Sequence, residues 1–219
     1  MESSILTARQ EKFLEIFSGD EYLREKFCLS GVTALAGFYL HHRYSEDLDF
    51  FSETEFDVLE IQVFLKKVNK ELGFQKIDYE KSYNRNLFFC HFPNEVLKIE
   101  FTFFPFQKIE KPQTMQSLQV ESLMDLAVNK LFTIYQRSAA RDYIDLYCIC
   151  KERGLEIKDL ISKARIKFES HIDPIQLGTQ FIKAKDALDL PRMVKSMPEK
   201  EWRDFFVKEA EKLKDQVLD

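Results

Sequence analysis

The sequence predicts an α/β half followed by an all-helical half. Hydrophobic residues first recur at helical spacing, switch to a period of two between residues 74 and 104, then return to helical spacing to the end of the chain. Pro105 and Pro112 bracket a loop at the second change. The 219 residues are 45% apolar and 32% charged, enough to build one or two packed domains. The boundary is expected near 105–117, which divides the chain into 1–107 and 108–219.

Residues 3–27 read as a helix, with Ile5, Phe13, Ile16, Phe17 and Leu23 spaced among charges. A short apolar piece, Phe27-Cys28-Leu29, runs into Ser30-Gly31, and residues 32–42 read as a buried helix. Asp47-Leu48-Asp49-Phe50-Phe51 reads as a strand. Residues 56–72 return to a helical pattern that Gly73 is suited to stop. Strands are expected at 74–81, 86–92 and 96–104, with turns at Tyr83-Asn84 and Pro93-Asn94. Beyond Ser117, helices are expected at 118–137, 139–153, 156–169, 174–188 and 199–216.

Composition narrows the function classes. A net charge of −5 argues against a general electrostatic grip on nucleic acid. The charge is uneven: residues 1–107 hold 12 basic and 18 acidic side chains, residues 108–219 hold 20 and 19. If phosphates are bound, the first half is expected to use a metal ion and the second to supply cations. Cys28, Cys90, Cys148 and Cys150 form no C-x-x-C pair, so free thiols are expected rather than zinc. The longest nearly uncharged stretch, Phe27 to Leu40, is too short to span a bilayer, and residues 1–13 show no apolar leader. No membrane association and a cytoplasmic location are the expectation. Most of the 21 Phe are expected in the core.

The most informative stretch is SGVTALAGFYLHHRYSEDLDFF, residues 30–51. Residues i and i+2 of a strand share a face, so Asp47 and Asp49 stand side by side. A divalent cation relieves their repulsion, and Mg²⁺ favours such a site completed by water and substrate phosphates. A polar strand edge in solvent is the bland alternative. In the strand from Val96, Lys98, Glu100 and Thr102 share the face opposite Leu97, Ile99, Phe101 and Phe103. If the two strands are neighbours, Glu100 joins the aspartates, and three carboxylates can hold two metal ions. Gly31 opens the buried helix, where free N–H groups and backbone access suit a phosphate. No Walker A loop is present, because no Gly-Lys-Ser/Thr follows Gly31 or Gly37 at the required spacing. His41 and His42 read as structural or solvent-facing, Arg43 as a phosphate contact or a partner of Glu46, and Lys163, Arg165 and Lys167 as a solvated basic face.

Taken together, Gly31, Thr33, Ala34, Leu35, then His42, Arg43, Ser45, Asp47, Leu48, Asp49, Phe50 and Phe51 resemble the nucleotidyltransferase toxins of the AbiEii/AbiGii type, within the DNA polymerase beta-like nucleotidyltransferase superfamily. A later segment is similar to the family's helical signature: Asp125 to Lys130, Arg137, then Arg141-Asp142-Tyr143-Ile144-Asp145-Leu146. The resemblance covers about residues 28–150. It implies a nucleotidyltransferase-like small mixed β-sheet with flanking helices, then a helical subdomain, with the active cleft between them. It implies transfer of an NMP from an NTP to an RNA (tRNA-like) or protein acceptor, by a toxin with a cognate antitoxin.

By the same resemblance Asp47, Asp49 and Glu100 would bind one or two Mg²⁺ ions, with Glu100 assisting deprotonation of the acceptor. Lys130 would touch the triphosphate, and Asp142 or Asp145 would orient Lys130 or act near the acceptor. Gly31, Thr33, Arg43, Ser45, Lys130 and Arg141 would bind nucleotide. Lys130 lies on a largely apolar stretch and needs a partner or a phosphate. Asp142 and Asp145 share a helix face, and Arg141 could pair with Asp145; a structural salt-bridge cluster is the alternative reading of that group. Two positions depart from the pattern. Val32 stands where the family has a second glycine or, in relatives, serine, and a β-branched residue resists positive φ. Glu100 replaces the superfamily's more usual aspartate. Two other functions therefore stand beside transfer: a catalytically silent nucleotide-binding or interaction module, and metal-dependent phosphoester hydrolysis.

Overall fold

The computed structural model describes residues 5–218, and of 215–218 the backbone alone. The chain forms two compact units: residues up to Gln107 with Lys111–Ser122, and Lys108–Glu110 with the chain from Leu123 onward. The stretch after Lys111 thus returns to the first unit.

The first unit is a mixed sheet with helices. Its elements are α1 (Ala8–Ser18), α2 (Glu21–Lys26), β1 (Cys28–Ser30), α3 (Gly31–Ala34, continued by a π-helical stretch Leu35–Leu40), β2 (Asp47–Ser52), α4 (Val58–Leu72), β3 (Lys76–Ser82), β4 (Arg85–His91), β5 (Val96–Phe103), β6 (Gln113–Met115) and β7 (Leu118–Val120). The seven strands lie in the order β3-β4-β5-β2-β1-β7-β6. β2 pairs with β5, and β1 with β7, in parallel; the other neighbours are antiparallel.

Alternation along β2 buries Leu48 and Phe50 and leaves Asp47 and Asp49 on the other face. The buried face is phenylalanine-rich. Phe50 stacks on Phe17 at 4.2 Å and on Phe101 at 5.1 Å. Phe64 of α4 meets Phe13 and Phe17 edge-on, each at 5.8 Å. Helices α1 and α4 therefore cover the face opposite the carboxylates.

Several sequence expectations change. The single helix expected over 3–27 is two, parted where Gly19 ends α1 and the Asp20 side chain caps α2; residues 3 and 4 lie outside the described residues. Thr7 and Gln10 form a capping box that starts α1. The buried helix over 32–42 becomes π-helical at Leu35 and stops at His41, whose φ of 50° is left-handed. The helix expected from 118 begins at Leu123. Before it, Leu118 and Val120 point inward around exposed-side Gln119, and Val120 stands in register with Leu29. Gln116 and Ser117, at φ 49° and 64°, make the tight turn joining β6 to β7.

The second unit is helical: α5 (Leu123–Gln136), α6 (Ala140–Arg153), α7 (Ile157–Lys167), α8 (Pro174–Ile182, extended by a 3₁₀ turn to Asp186) and α9 (Glu199–Leu218). Its core stacks Tyr143 on Trp202 at 6.2 Å, with Phe206 5.0 Å from Tyr143 and 5.1 Å from Phe181. Asp125 accepts from the backbone N–H groups of Ile109 and Glu110 and pairs with Lys167 at 2.7 Å, both side chains fully buried. Lys167 is thus an internal cation, where a solvated basic face was expected.

Candidate functional site

In the first unit the expected carboxylates come together. Strands β2 and β5 are parallel neighbours with Asp47 opposite Lys98 and Asp49 opposite Glu100. Asp47, Asp49, Lys98, Glu100 and Thr102 therefore share one face. Across the other edge of β5, Arg85 stands opposite Thr102 and Leu87 opposite Glu100, which adds Arg85 to that face.

Gly31 abuts the pair. It has φ +62°, and a Cβ there would lie 2.8 Å from the Asp49 carboxyl carbon. Only glycine permits both the left-handed turn and this approach. The positive φ belongs to Gly31 and not to Val32, which follows within α3. A β-branched side chain at Val32 therefore carries no backbone strain.

Residues around the turn hold it in place. The Thr33 hydroxyl donates to the Asp47 carbonyl and accepts from the Ser45 hydroxyl at 2.6 Å, and Ser45 Oγ lies 3.2 Å from the same carbonyl. Thr33 and Ser45 are buried, and their hydroxyls tie the start of β2 to α3. Arg43, also buried, donates to the Tyr44 carbonyl at 3.3 Å. Glu121, which sequence reasoning did not single out, is buried and accepts from the Ser30 hydroxyl, while its carbonyl accepts from Tyr39 at 2.9 Å. Nothing in the sequence marks Glu121, since it reaches Ser30 only through the unrecognised strand β7.

Cations line the carboxylates. Lys98 Nζ lies 2.6 Å from an Asp47 oxygen. Glu100, 4% exposed, accepts from Arg85 Nε and Nη2 on separate oxygens, each at 2.6 Å, and from the Thr102 hydroxyl at 2.7 Å. Burial alone would push the Glu100 carboxyl up. The bonds from Arg85 and Thr102, with the charges of Arg85 and Lys98, outweigh that and hold it below the usual range. The Arg85 guanidinium is pushed up, first by its bonds to Glu100 and further by the charges of Asp49 and Asp47.

Among the described residues no three His, Cys, Asp or Glu side chains form a ready metal cage. Glu100 is in register beside Asp49, and its two oxygens accept three hydrogen bonds from Arg85 and Thr102. Asp47, paired with Lys98, and Asp49 share one strand face, and two such carboxylates suit a Mg²⁺ ion that keeps waters and is completed by phosphates.

In the second unit, Lys130 is 14% exposed and pairs with Asp142 at 2.9 Å and Asp145 at 2.7 Å, both carboxylates fully buried. Arg137 adds a bond to Asp142 at 3.0 Å. Asp145 pairs with Lys130 and not with the expected Arg141, which is exposed. Lys130 thus has the buried partners that an internal lysine needs.

Comparison with known proteins gives the same assignment from another direction. Residues 13–219 match the family model described as nucleotidyl transferase AbiEii toxin, type IV TA system. The Aquifex aeolicus (strain VF5) protein aq_aa25 is 27% identical over 150 residues, 66% of this chain and 67% of that one. A protein from H. pylori assigned as a nucleotidyltransferase has a similar structure, with a TM-score of 0.63 at 20% identity over 97% of both chains. JHP933 from Helicobacter pylori gives 0.61 at 19% identity, over 95% of this chain and 91% of that one. These two likenesses concern the fold: a mixed sheet with flanking helices and a helical C-terminal region. On the family match, which spans nearly the whole sequence, the chain belongs to the AbiEii nucleotidyl transferase toxins of type IV toxin–antitoxin systems.

Proposed function

We propose that the chain transfers a nucleoside monophosphate from an NTP to a hydroxyl of an RNA or protein acceptor, with release of pyrophosphate, and that an antitoxin restrains it. The observation that carries this reading is the pairing of Asp47 and Asp49 on one strand face against the Gly31 turn. Family membership supports it.

Asp47 and Asp49 would hold Mg²⁺, which when bound supplies charge neutralisation at the phosphates. Gly31 leaves the backbone open beside them. Thr33 and Ser45 fix the strand on which the aspartates stand. Within the second unit, Asp142 and Asp145 hold Lys130, a candidate phosphate contact in its own right. Glu100 already accepts three hydrogen bonds and is held below the usual carboxylate range, which makes it a poor proton acceptor, so no base role is given to it. Positioning and charge neutralisation then carry the chemistry, as in phosphoryl transfer generally. Val32 motivates the silent module on two grounds: the backbone one weakens because the positive φ is at Gly31, while the missing hydroxyl leaves any phosphate contact there to backbone N–H groups.

The test is label transfer. Purified protein is incubated with Mg²⁺, each α-labelled NTP and total cellular RNA plus protein, beside Asp47→Ala and Asp49→Ala variants. Label on one class of macromolecule, dependent on both aspartates, is expected. Free labelled NMP with no incorporation would point to hydrolysis instead. Asp47→Ala should also abolish Mg-NTP binding while circular dichroism keeps its helical signal; undiminished Mg-NTP affinity in that variant would remove the aspartates from the site.

A further inference from the structure

Arg85 has no role in the reading so far, yet it is the most rigidly held cation on the carboxylate face. A side-on pair to a buried carboxylate fixes the plane of its guanidinium. Thr102 fixes the carboxylate in turn. The Arg85 side chain is nonetheless 51% exposed. Its two bonds use Nε and Nη2, and among the described residues no bond engages Nη1. An oriented guanidinium with an open donor edge is a ready partner for phosphate oxygens.

Charge balance favours the same outcome. On this face three carboxylates, Asp47, Asp49 and Glu100, meet two cations, Lys98 and Arg85. One divalent ion at the aspartates turns that balance from net negative to net positive, the sign that attracts a triphosphate.

We propose that Arg85 binds the phosphate chain of the Mg-NTP, and that Glu100 is its positioning residue rather than a metal ligand or base. This inference rests on the nucleotidyltransferase reading above.

The experiment measures two affinities on the full chain: Mn²⁺ by electron paramagnetic resonance, and Mg²⁺ complexes of non-hydrolysable α,β-methylene ribonucleotides by calorimetry. The variants are Arg85→Gln, Glu100→Gln, the double variant and Asp47→Ala. Arg85→Gln should weaken nucleotide binding by about ten- to hundredfold, the range for a lost charge-assisted contact. Glu100→Gln should weaken it in the same direction, leave Mn²⁺ affinity within about twofold, and add nothing in the double variant. Loss of Mn²⁺ binding in Glu100→Gln would make Glu100 a metal ligand and overturn the inference. Unchanged nucleotide affinity in Arg85→Gln, or independent losses in the double variant, would reduce the pair to a link between strands. If the wild type binds no Mg-NTP, the nucleotidyltransferase reading falls and takes this one with it. If the wild type binds, Asp47→Ala does not and Arg85→Gln still does, only the Arg85 inference falls.

Discussion

Gly31 is the residue on which the first-unit site turns. A methyl group there would meet the Asp49 carboxylate, on a backbone at φ +62°. Gly31→Ala should therefore cost at least about 1–2 kcal/mol from the left-handed backbone alone, with the steric clash added. A urea midpoint below that of the wild type, with Mg-NTP binding reduced further than stability, is the expected result. The cysteines allow a separate check. Burial pushes the thiols of Cys90, Cys148 and Cys150 up to about 12. At pH 8 only about one in ten thousand of each would be thiolate, so native protein should label slowly with a disulfide reagent. The rate should climb as pH rises towards 12, and urea should release fast labelling at pH 8. The aspartate pair was legible from the sequence, because strand alternation alone sets Asp47 and Asp49 on one face. Arg85 was not. Its meaning depends on register across β4, β5 and β2, which no local pattern encodes.

Among elements, α7 shows how a local pattern misleads. Lys163, Arg165 and Lys167 look alike in sequence, yet Lys167 is fully buried against Asp125. Removing one member of a buried pair leaves the other uncompensated. Lys167→Met should cost about 3–5 kcal/mol, measured by chemical unfolding, and Asp125→Asn combined with it should recover part of that loss. The larger miss was the β6–β7 hairpin. Its strands are three residues each, too short for alternation to stand out from the helical spacing that follows at Leu123. The turn at Gln116 and Ser117 lacks the glycine or asparagine that usually marks such a bend, although both residues have positive φ. By contrast β2 to β5, α4 and the helices from α6 onward were readable, since each is long enough for its period to repeat.

For the whole molecule, the path of the chain between units matters. It enters the second unit at Lys108–Glu110, returns for Lys111–Ser122 and leaves again at Leu123. A fragment ending at residue 107 would therefore lack β6 and β7 and bare the edge of β1, an invitation to intermolecular pairing. A fragment ending at residue 122 would hold the complete seven-stranded sheet. The longer fragment should be monomeric on gel filtration with native-like circular dichroism, and the shorter should aggregate; equal solubility of the two would show that β7 does not protect the sheet.

The Ser30–Glu121 bond spans 91 residues of sequence. On a ribosome, Gly31 and both aspartates emerge long before the strand and carboxylate that secure the turn. At roughly 5–20 residues per second, that interval is on the order of ten seconds. A newborn chain of this toxin family thus carries its acidic pair for some time before the turn beside it is locked. Translation that stops short of residue 121 would leave a product whose Gly31 turn had never been set.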